Sequence, residues 1–425
     1  MDRTFSIFNR VLSFAGITIY KKENWNSKLW LSFQIFNVII GFFTFIFTSG
    51  FVLTHLSNLV ICIEAASIWT TGVIMFISLC VCLIFKNDFQ DFLTEMGFAD
   101  GVLEMPLINY VISRQTLLGK PDQIWDKRLP RLKELHSLVI DSQETLLRYS
   151  RKLFIAYVLS VWLVATLYLC DPIYRMAISE DKDLRLLAFD MWLPWSLQNF
   201  KVYVASFIFH VYAGYLCCYA YPGLQLTIIF LVGQTIRQLK IISFIILHLN
   251  EIAIELLEKR DERWQECCSD LLKQCIVHFV KIKKFSNQLN VICRPFYLAL
   301  ILVAIMLVCV CSVRIAISAN KLSLGILKYY VHEFCFIIVV MTFCLLGQQV
   351  QNECEKLESA VVEKWYMFDR RHKIMVRIFN MALSQRIPIY IFGSITLSLP
   401  TFTWFIKTGM SFFTLVMSVL EDNNY

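Results

Sequence analysis

Along the chain, long apolar runs alternate with stretches in which charge returns at helical spacing. Seven runs are long enough to cross a bilayer as helices at ~1.5 Å per residue. They cover residues 29–56, 62–85, 153–169, 201–230, 291–312, 327–346 and 388–420. Between them, residues 236–260, 271–284, 348–365 and 370–384 read as amphipathic helices that gather below the membrane. Residues 1–28 are basic and amphipathic and are placed at the membrane surface or re-entering it. The last run, 388–420, carries one charge, Lys407, among small and hydroxyl residues such as Thr408, Gly409, Ser411 and Thr414. Such residues suit a helix that faces protein or water as well as lipid. It is read as one helix throughout, kinked at Pro400.

Composition agrees with this pattern. The chain is 57% hydrophobic and 17% charged, with mean hydropathy +0.58, against roughly 25% charged in soluble domains. The fold class is all-α, a polytopic membrane protein of seven helices. The parts are 1–235 (N-terminal segment and first four spans), 236–290 and 347–387 (cytoplasmic anchor regions), 291–346 (fifth and sixth spans) and 388–425 (last span and tail). The net charge of +7 belongs to loops, not to nucleic-acid binding. Most Lys and Arg fall within 1–28, 86–152, 237–284 and 356–386. This puts the N-terminus in the cytoplasm and, after seven crossings, the C-terminus outside. A G-protein-coupled receptor has the reverse arrangement.

Most of the fifteen Cys lie in apolar runs, as Cys217, Cys218, Cys309 and Cys311 do, and read as small hydrophobes. Cys267, Cys268 and Cys275 have no partners at zinc spacing. No metal or cofactor is expected. No nucleophile–base set or phosphate loop stands out, so the chain does not read as an enzyme. No sequon, cleavable signal or transporter-type repeat is visible.

Lys407-Thr408-Gly409-Met410-Ser411-Phe412-Phe413-Thr414-Leu415-Val416 resembles, in register, the tail of insect odorant receptors. It departs at Gly409, Met410 and Phe412, where that family has Ser and Tyr. Glu355, Leu357, Ala360, Trp365 and Tyr366 are similar to a second family region, as is Met191-Trp192-Leu193-Pro194-Trp195 before the fourth span. The resemblance implies a ligand-gated, non-selective cation channel at the plasma membrane of a sensory neuron. It implies a heterotetramer with the olfactory co-receptor, membrane lipids around it and permeant cations within it. The connection after the fourth span is short, which implies the odorant-selective subunit.

The resemblance also places a small volatile organic ligand among the outer halves of four spans. Those halves hold Ser67, Ile68, Thr71 and Ile74; Trp162, Ala165 and Thr166; Phe207, His210 and Val211; and Tyr330, Glu333 and Phe334. Aromatic and aliphatic walls with few polar groups suit an apolar ligand, and burial contributes roughly 25 cal/mol per Å². Each of these residues equally reads as core. His210 reads as a ligand partner, a proton-sensitive group or a satisfied interior histidine. Glu64 and Glu333 reach interfacial water or attract cations, and Arg294 snorkels. In the last span Leu415 and Val419 lie four apart on one face that runs back through Ser411 to Lys407. The resemblance implies a pore with its gate at Leu415 and Val419. Taken alone, the pair reads as ordinary helix packing. Lys407 either tolerates a cation path, reaches an interface or pairs with an acid. Rival functions are a gustatory-type receptor that assembles alone and a carrier for lipophilic solutes.

Overall fold

A computed structural model describes residues 1–425 except 1, 25, 99–100, 119–128, 180–183, 258–262, 318–323, 364, 386, 388, 393–394 and 423–425. Its helices are α1 (Asp2–Leu12), α2 (Lys28–Thr54), α3 (Leu59–Ile84), α4 (Lys86–Phe92), α5 (Pro106–Leu118), α6 (Pro130–Ile178), α7 (Phe200–Leu247), α8 (Leu249–Leu256), α9 (Trp264–Ile317), α10 (Leu324–Glu363), α11 (Arg370–Ser384) and α12 (Leu399–Asp422). A two-stranded antiparallel hairpin, β1 (Tyr390–Phe392) and β2 (Ile395–Thr396), precedes α12. Seven helices, α2, α3, α6, α7, α9, α10 and α12, are long and apolar enough to cross a membrane.

Four of these far exceed a bilayer. The 54 residues of α9 extend ~80 Å at ~1.5 Å each, against a ~30 Å hydrocarbon layer. The excess of α7, α9 and α10 packs on one side with α8 and α11, where the amphipathic pattern predicts a bundle, and α6, running back to Pro130 beyond the span read from the sequence, joins them there. Leu132, Leu135, Ile242, Leu272, Phe279 and Phe379 are buried in this lower bundle. The first turn of α6 is closed by α8. Glu255 accepts from the backbone N–H of Arg131 and of Leu132, each at 2.9 Å. A carboxylate there satisfies orphan donors and complements the helix dipole. Glu251 pairs with the Arg131 side chain beside it.

Within the spans α7 is the central post, with 89% of its most apolar window buried, whereas α12 has 11%. Short residues let backbones close in on one another. At Gly41 an added Cβ would lie 3.0 Å from Leu79.

Two expectations are corrected. The apolar face of residues 5–20 is not free to lie on lipid. Phe5, Phe8, Leu12 and Tyr20 are buried, with Phe5 against Phe230 and Phe8 against Phe154. Leu12 fills the space that Gly223 leaves, where a Cβ would come within 2.2 Å. The apolar face of α1 found a protein cleft rather than lipid. Second, the last run is not one helix. Its first third is the hairpin, held by Leu397 N–H to Ile389 O at 2.8 Å and Tyr390 N–H to Asn290 Oδ1 at 3.0 Å. Pro400 sits in the first turn of α12, where its missing N–H costs nothing, so it starts the helix instead of kinking it. Pro388, Gly393 and Ser394 lie outside the described residues.

Candidate ligand-binding site

At the upper end of the bundle, where residues 184–199 lie, α2, α3, α6, α7 and α10 part around a cavity. Ile68, Met75, Val161, Val164 and Ala213 give it an apolar wall. The space open to the centre of a water molecule is about 60 Å³, on the order of four waters at ~10–15 Å³ each. That is room for a compact small molecule, not for a peptide or a sugar chain.

The connection between α6 and α7 closes it from above. Phe189 and Met191 line the cavity directly. Phe189 N–H donates to His210 Nδ1 at 3.2 Å, and its ring stacks on the imidazole. Gly214, one turn on, leaves room for that ring, since a Cβ there would lie 3.0 Å from Phe189 Cζ. Further along, Trp192 N–H donates to Phe47 O at 2.9 Å and Trp195 Nε1 to Ser206 Oγ at 2.9 Å. Arg185 donates to the carbonyls of Leu197 and Gln198, and Tyr203 to Leu186 O at 3.0 Å. Residues 184–199 therefore form a fixed cap. Between its two cavity residues, burial, with Glu64 nearby, pushes the Asp190 carboxyl up to about 6.

One side of the cavity is polar. Tyr168 OH stands 3.4 Å from both Ser67 Oγ and His332 Nδ1. Behind it lies an ionic cluster, buried at Lys328 and Asp171. Lys328 pairs with Asp171 at 2.9 Å and sits 4.8 Å from the centre of the Tyr168 ring. Arg175 also holds Asp171, at 3.1 Å. Glu64 pairs with Arg314 at 2.9 Å and accepts from Tyr329 OH at 3.0 Å. Glu64 therefore ties α3 to α9 and α10 while its side chain stays partly exposed. Glu333 likewise accepts from Ser312 at 2.8 Å. Among the described residues no cluster of His, Cys, Asp and Glu suits a metal ion.

The 7tm Odorant receptor family matches residues 125–410, two thirds of the chain. The chain belongs to the insect odorant receptor family. Odorant receptor 13a of Drosophila melanogaster is 25% identical over 249 residues, 55% of this receptor and 58% of that relative's length. The olfactory receptor OR5 of Machilis hrabei, solved in complex with eugenol, superposes with TM-score 0.72 at 11% identity, covering 99% of this receptor and 98% of that chain. Another structure of OR5 gives 0.74 at 12%, covering 97% of each. At such identity the likeness establishes the fold. With seven apolar helices, this odorant receptor is a multi-pass membrane protein and a receptor rather than an enzyme.

In this receptor Ile68, Thr71 and Ala165 line the cavity. Ser67 stands behind Tyr168, and His210 holds the cap without itself lining the cavity. Ile74 is fully buried in the core. Trp162 turns outward, 37% exposed, and donates to Tyr219 OH at 3.1 Å. Thr166 donates within its own helix to Leu163 O at 2.8 Å, Phe207 stacks beside Tyr203, and Val211 is half-buried off the cavity. Tyr330 and Phe334 face away, 51% and 64% exposed. On α10 the inward phase falls one residue earlier and two later, at Tyr329 and His332. Both faces of this helix are aromatic, so hydrophobic pattern could not separate them. Tyr168, Phe189, Met191, Cys217, Cys218, Tyr221 and His332 were missed as lining residues. For Phe189 and Met191 a signal existed, the aromatic stretch before α7.

On α12, Lys407, Ser411, Leu415 and Val419 lie on one exposed face. The opposite face packs Phe413, Val416 and Met417 against Ile63, Cys309, Val310 and Val313. Gly409 meets Val308, with a Cβ position 3.1 Å from its Cγ1.

Proposed function

We propose that this receptor is an odorant-selective subunit that binds a small, mainly apolar volatile in the capped cavity. Binding opens a non-selective cation path built with the shared olfactory co-receptor in a heterotetramer at the plasma membrane. The observation that carries the reading is the exposed face of α12. It presents Leu415 and Val419 above Ser411 and Lys407, with 11% of the apolar window buried within its own chain. A spanning helix with a hydroxyl and a lysine on its open face is costly in lipid, and neighbouring subunits around water relieve that cost. In this arrangement Leu415 and Val419 ring the constriction and gate by dewetting. Lys407 lies at a subunit boundary below them.

The distribution of Lys and Arg supports a cytoplasmic N-terminus and an exterior C-terminus. The lower bundle then hangs in the cytoplasm and joins subunits. On its surface α11 exposes Ile374, Ile378 and Met381 beside Arg370, Arg371 and Lys373, an apolar stripe with a basic border suited to another subunit. The short link from α7 to α9, residues 248–263, supports the odorant-selective role.

The test is ligand-evoked current from this chain expressed with and without the co-receptor, with no nucleotide or G-protein supply. Current that needs the co-receptor supports the proposal. Current from the chain alone favours a gustatory-type homomer. Saturable uptake without unitary conductance would replace both with a carrier.

A further inference from the structure

We infer that the cavity is built for a small apolar molecule bearing one hydroxyl, an alcohol or a phenol, whose oxygen docks among Tyr168, Thr71 and His332. The inference rests on the cavity being the odorant site. The hydroxyl protons of the α2 and α3 residues are already committed. Thr44 donates to Ile40 O at 2.8 Å, Ser67 to Glu64 O at 2.8 Å and Thr71 to Ile68 O at 2.7 Å. A hydroxyl that donates inside its own helix keeps its lone pairs, so Thr44 and Thr71 meet the cavity as acceptors, while Ser67 stays behind Tyr168.

The donor is Tyr168. Its two acceptors, Ser67 Oγ and His332 Nδ1, both stand at 3.4 Å, beyond the usual ~2.5–3.0 Å of a hydroxyl hydrogen bond. The residue is 4% exposed, so the proton is buried and poorly paired, a costly state. His332, also buried, has this long contact as its one hydrogen bond among the described residues. Thr71 is one turn on from Ser67, on the same face of α3, and Thr71, Tyr168 and His332 all line the cavity.

The corner thus offers one ill-served donor beside several acceptors. A ligand hydroxyl takes the Tyr168 proton at ordinary length and hands its own to Thr71 Oγ1 or the His332 ring. A carbonyl can only accept, and a hydrocarbon does neither. An ammonium group would meet no carboxylate in the lining and would be buried unpaired. A carboxylate would meet no free cation, because Lys328 is engaged by Asp171. The apolar wall opposite takes the carbon skeleton.

The experiment uses the full chain in lipid nanodiscs and reads ligand affinity from the shift in thermal unfolding, independently of any current. The probes are two matched sets: phenethyl alcohol, phenylacetaldehyde and propylbenzene; hexanol, hexanal and heptane. The alcohol is expected to bind roughly tenfold tighter than its hydrocarbon and roughly fivefold tighter than its aldehyde. Tyr168→Phe and Thr71→Val should each bring the alcohol-to-hydrocarbon ratio towards one. If Tyr168→Phe does not fold, the near-isosteric Thr71→Val decides. Ala165→Phe, which fills the cavity, should abolish binding of every probe. Equal affinities within a set, all lost in Ala165→Phe, would overturn the hydroxyl class and leave the cavity as the site. Affinities untouched by Ala165→Phe, or no binding by any probe, would remove the cavity as the site and the inference with it.

Discussion

Phe189 lies almost flat on His210, with ring centroids 5.7 Å apart and planes 13° from parallel, while its backbone N–H donates to the same imidazole. One histidine on a membrane helix thus holds the cap of the cavity by both face and edge. The amide at Nδ1 makes that nitrogen the acceptor, which fixes the neutral tautomer with the proton on Nε2.

His210→Leu removes the acceptor and the stacking partner at similar volume. A neutral hydrogen bond and an aromatic pair are each worth about 1 kcal/mol. Agonist potency is therefore expected to fall roughly tenfold, with surface expression retained. Dose–response curves against surface labelling check this, and unchanged potency would show that the cap does not hold the ligand.

The buried Lys328–Asp171 pair predicts an asymmetric mutational response. Both side chains are 9% exposed. Asp171→Asn leaves Lys328 buried without its counter-charge, a loss of ~3–5 kcal/mol. The double variant Asp171→Asn with Lys328→Met should recover much of it. Thermal unfolding of the native receptor, Asp171→Asn, Lys328→Met and the double variant reads the coupling, and additive losses would exclude it.

Gly347 and Gly50 make a matched pair of alanine tests. A Cβ at Gly347 would lie 2.1 Å from the backbone oxygen of Leu397, whereas at Gly50 the nearest atom is Trp192 Cβ at 3.4 Å. Gly347→Ala must therefore push α10 off the segment leading into α12, costing ~1–3 kcal/mol or more, while Gly50→Ala stays within ~0.5 kcal/mol. Folded yield and melting temperature distinguish the two.

His372 gives the lower bundle a pH dependence. Its ring is stacked on Phe368 at 4.0 Å, and Nδ1 is buried without a hydrogen bond among the described residues. Burial, opposed by Asp369, holds the imidazole down to about 4, from 6.5 when free. Between those values the unfolded chain binds more protons. Stability from this group is complete above about 6.5 and falls as pH drops towards 4. Hydrogen exchange in α11 at pH 7 and pH 5 should show the loss, and His372→Phe should remove its pH dependence.

In the channel reading, Leu415→Gln or Val419→Gln wets the constriction and raises basal current several-fold. Single-channel recording with the co-receptor present is the measurement. Unchanged conductance and unchanged basal opening in both variants would take these side chains out of the ion path.

The hydrophobic pattern by itself determined the helical class and the seven crossings, because backbone polar groups in lipid leave the chain few alternatives. It also showed two of the long helices, α7 and α10, running past the bilayer, since their polar faces keep the same period. What pattern could not decide was helix phase and partnership. Tyr329 and Tyr330 are neighbours of one type, yet one is 2% exposed and the other 51%. Only the approach of α6, with Tyr168 and Asp171, turned Lys328, Tyr329 and His332 inward. The N-terminal Phe5 and Phe8 were equally suited to lipid or protein, and the gap opened by Gly223 chose protein. Residues 390–396 are apolar enough for a helix, but Asn290 and Gly347 on α9 and α10 fixed them as a hairpin. Apolar side chains in a membrane gain little by choosing protein over lipid, so shape and a few polar partners decided where each one went.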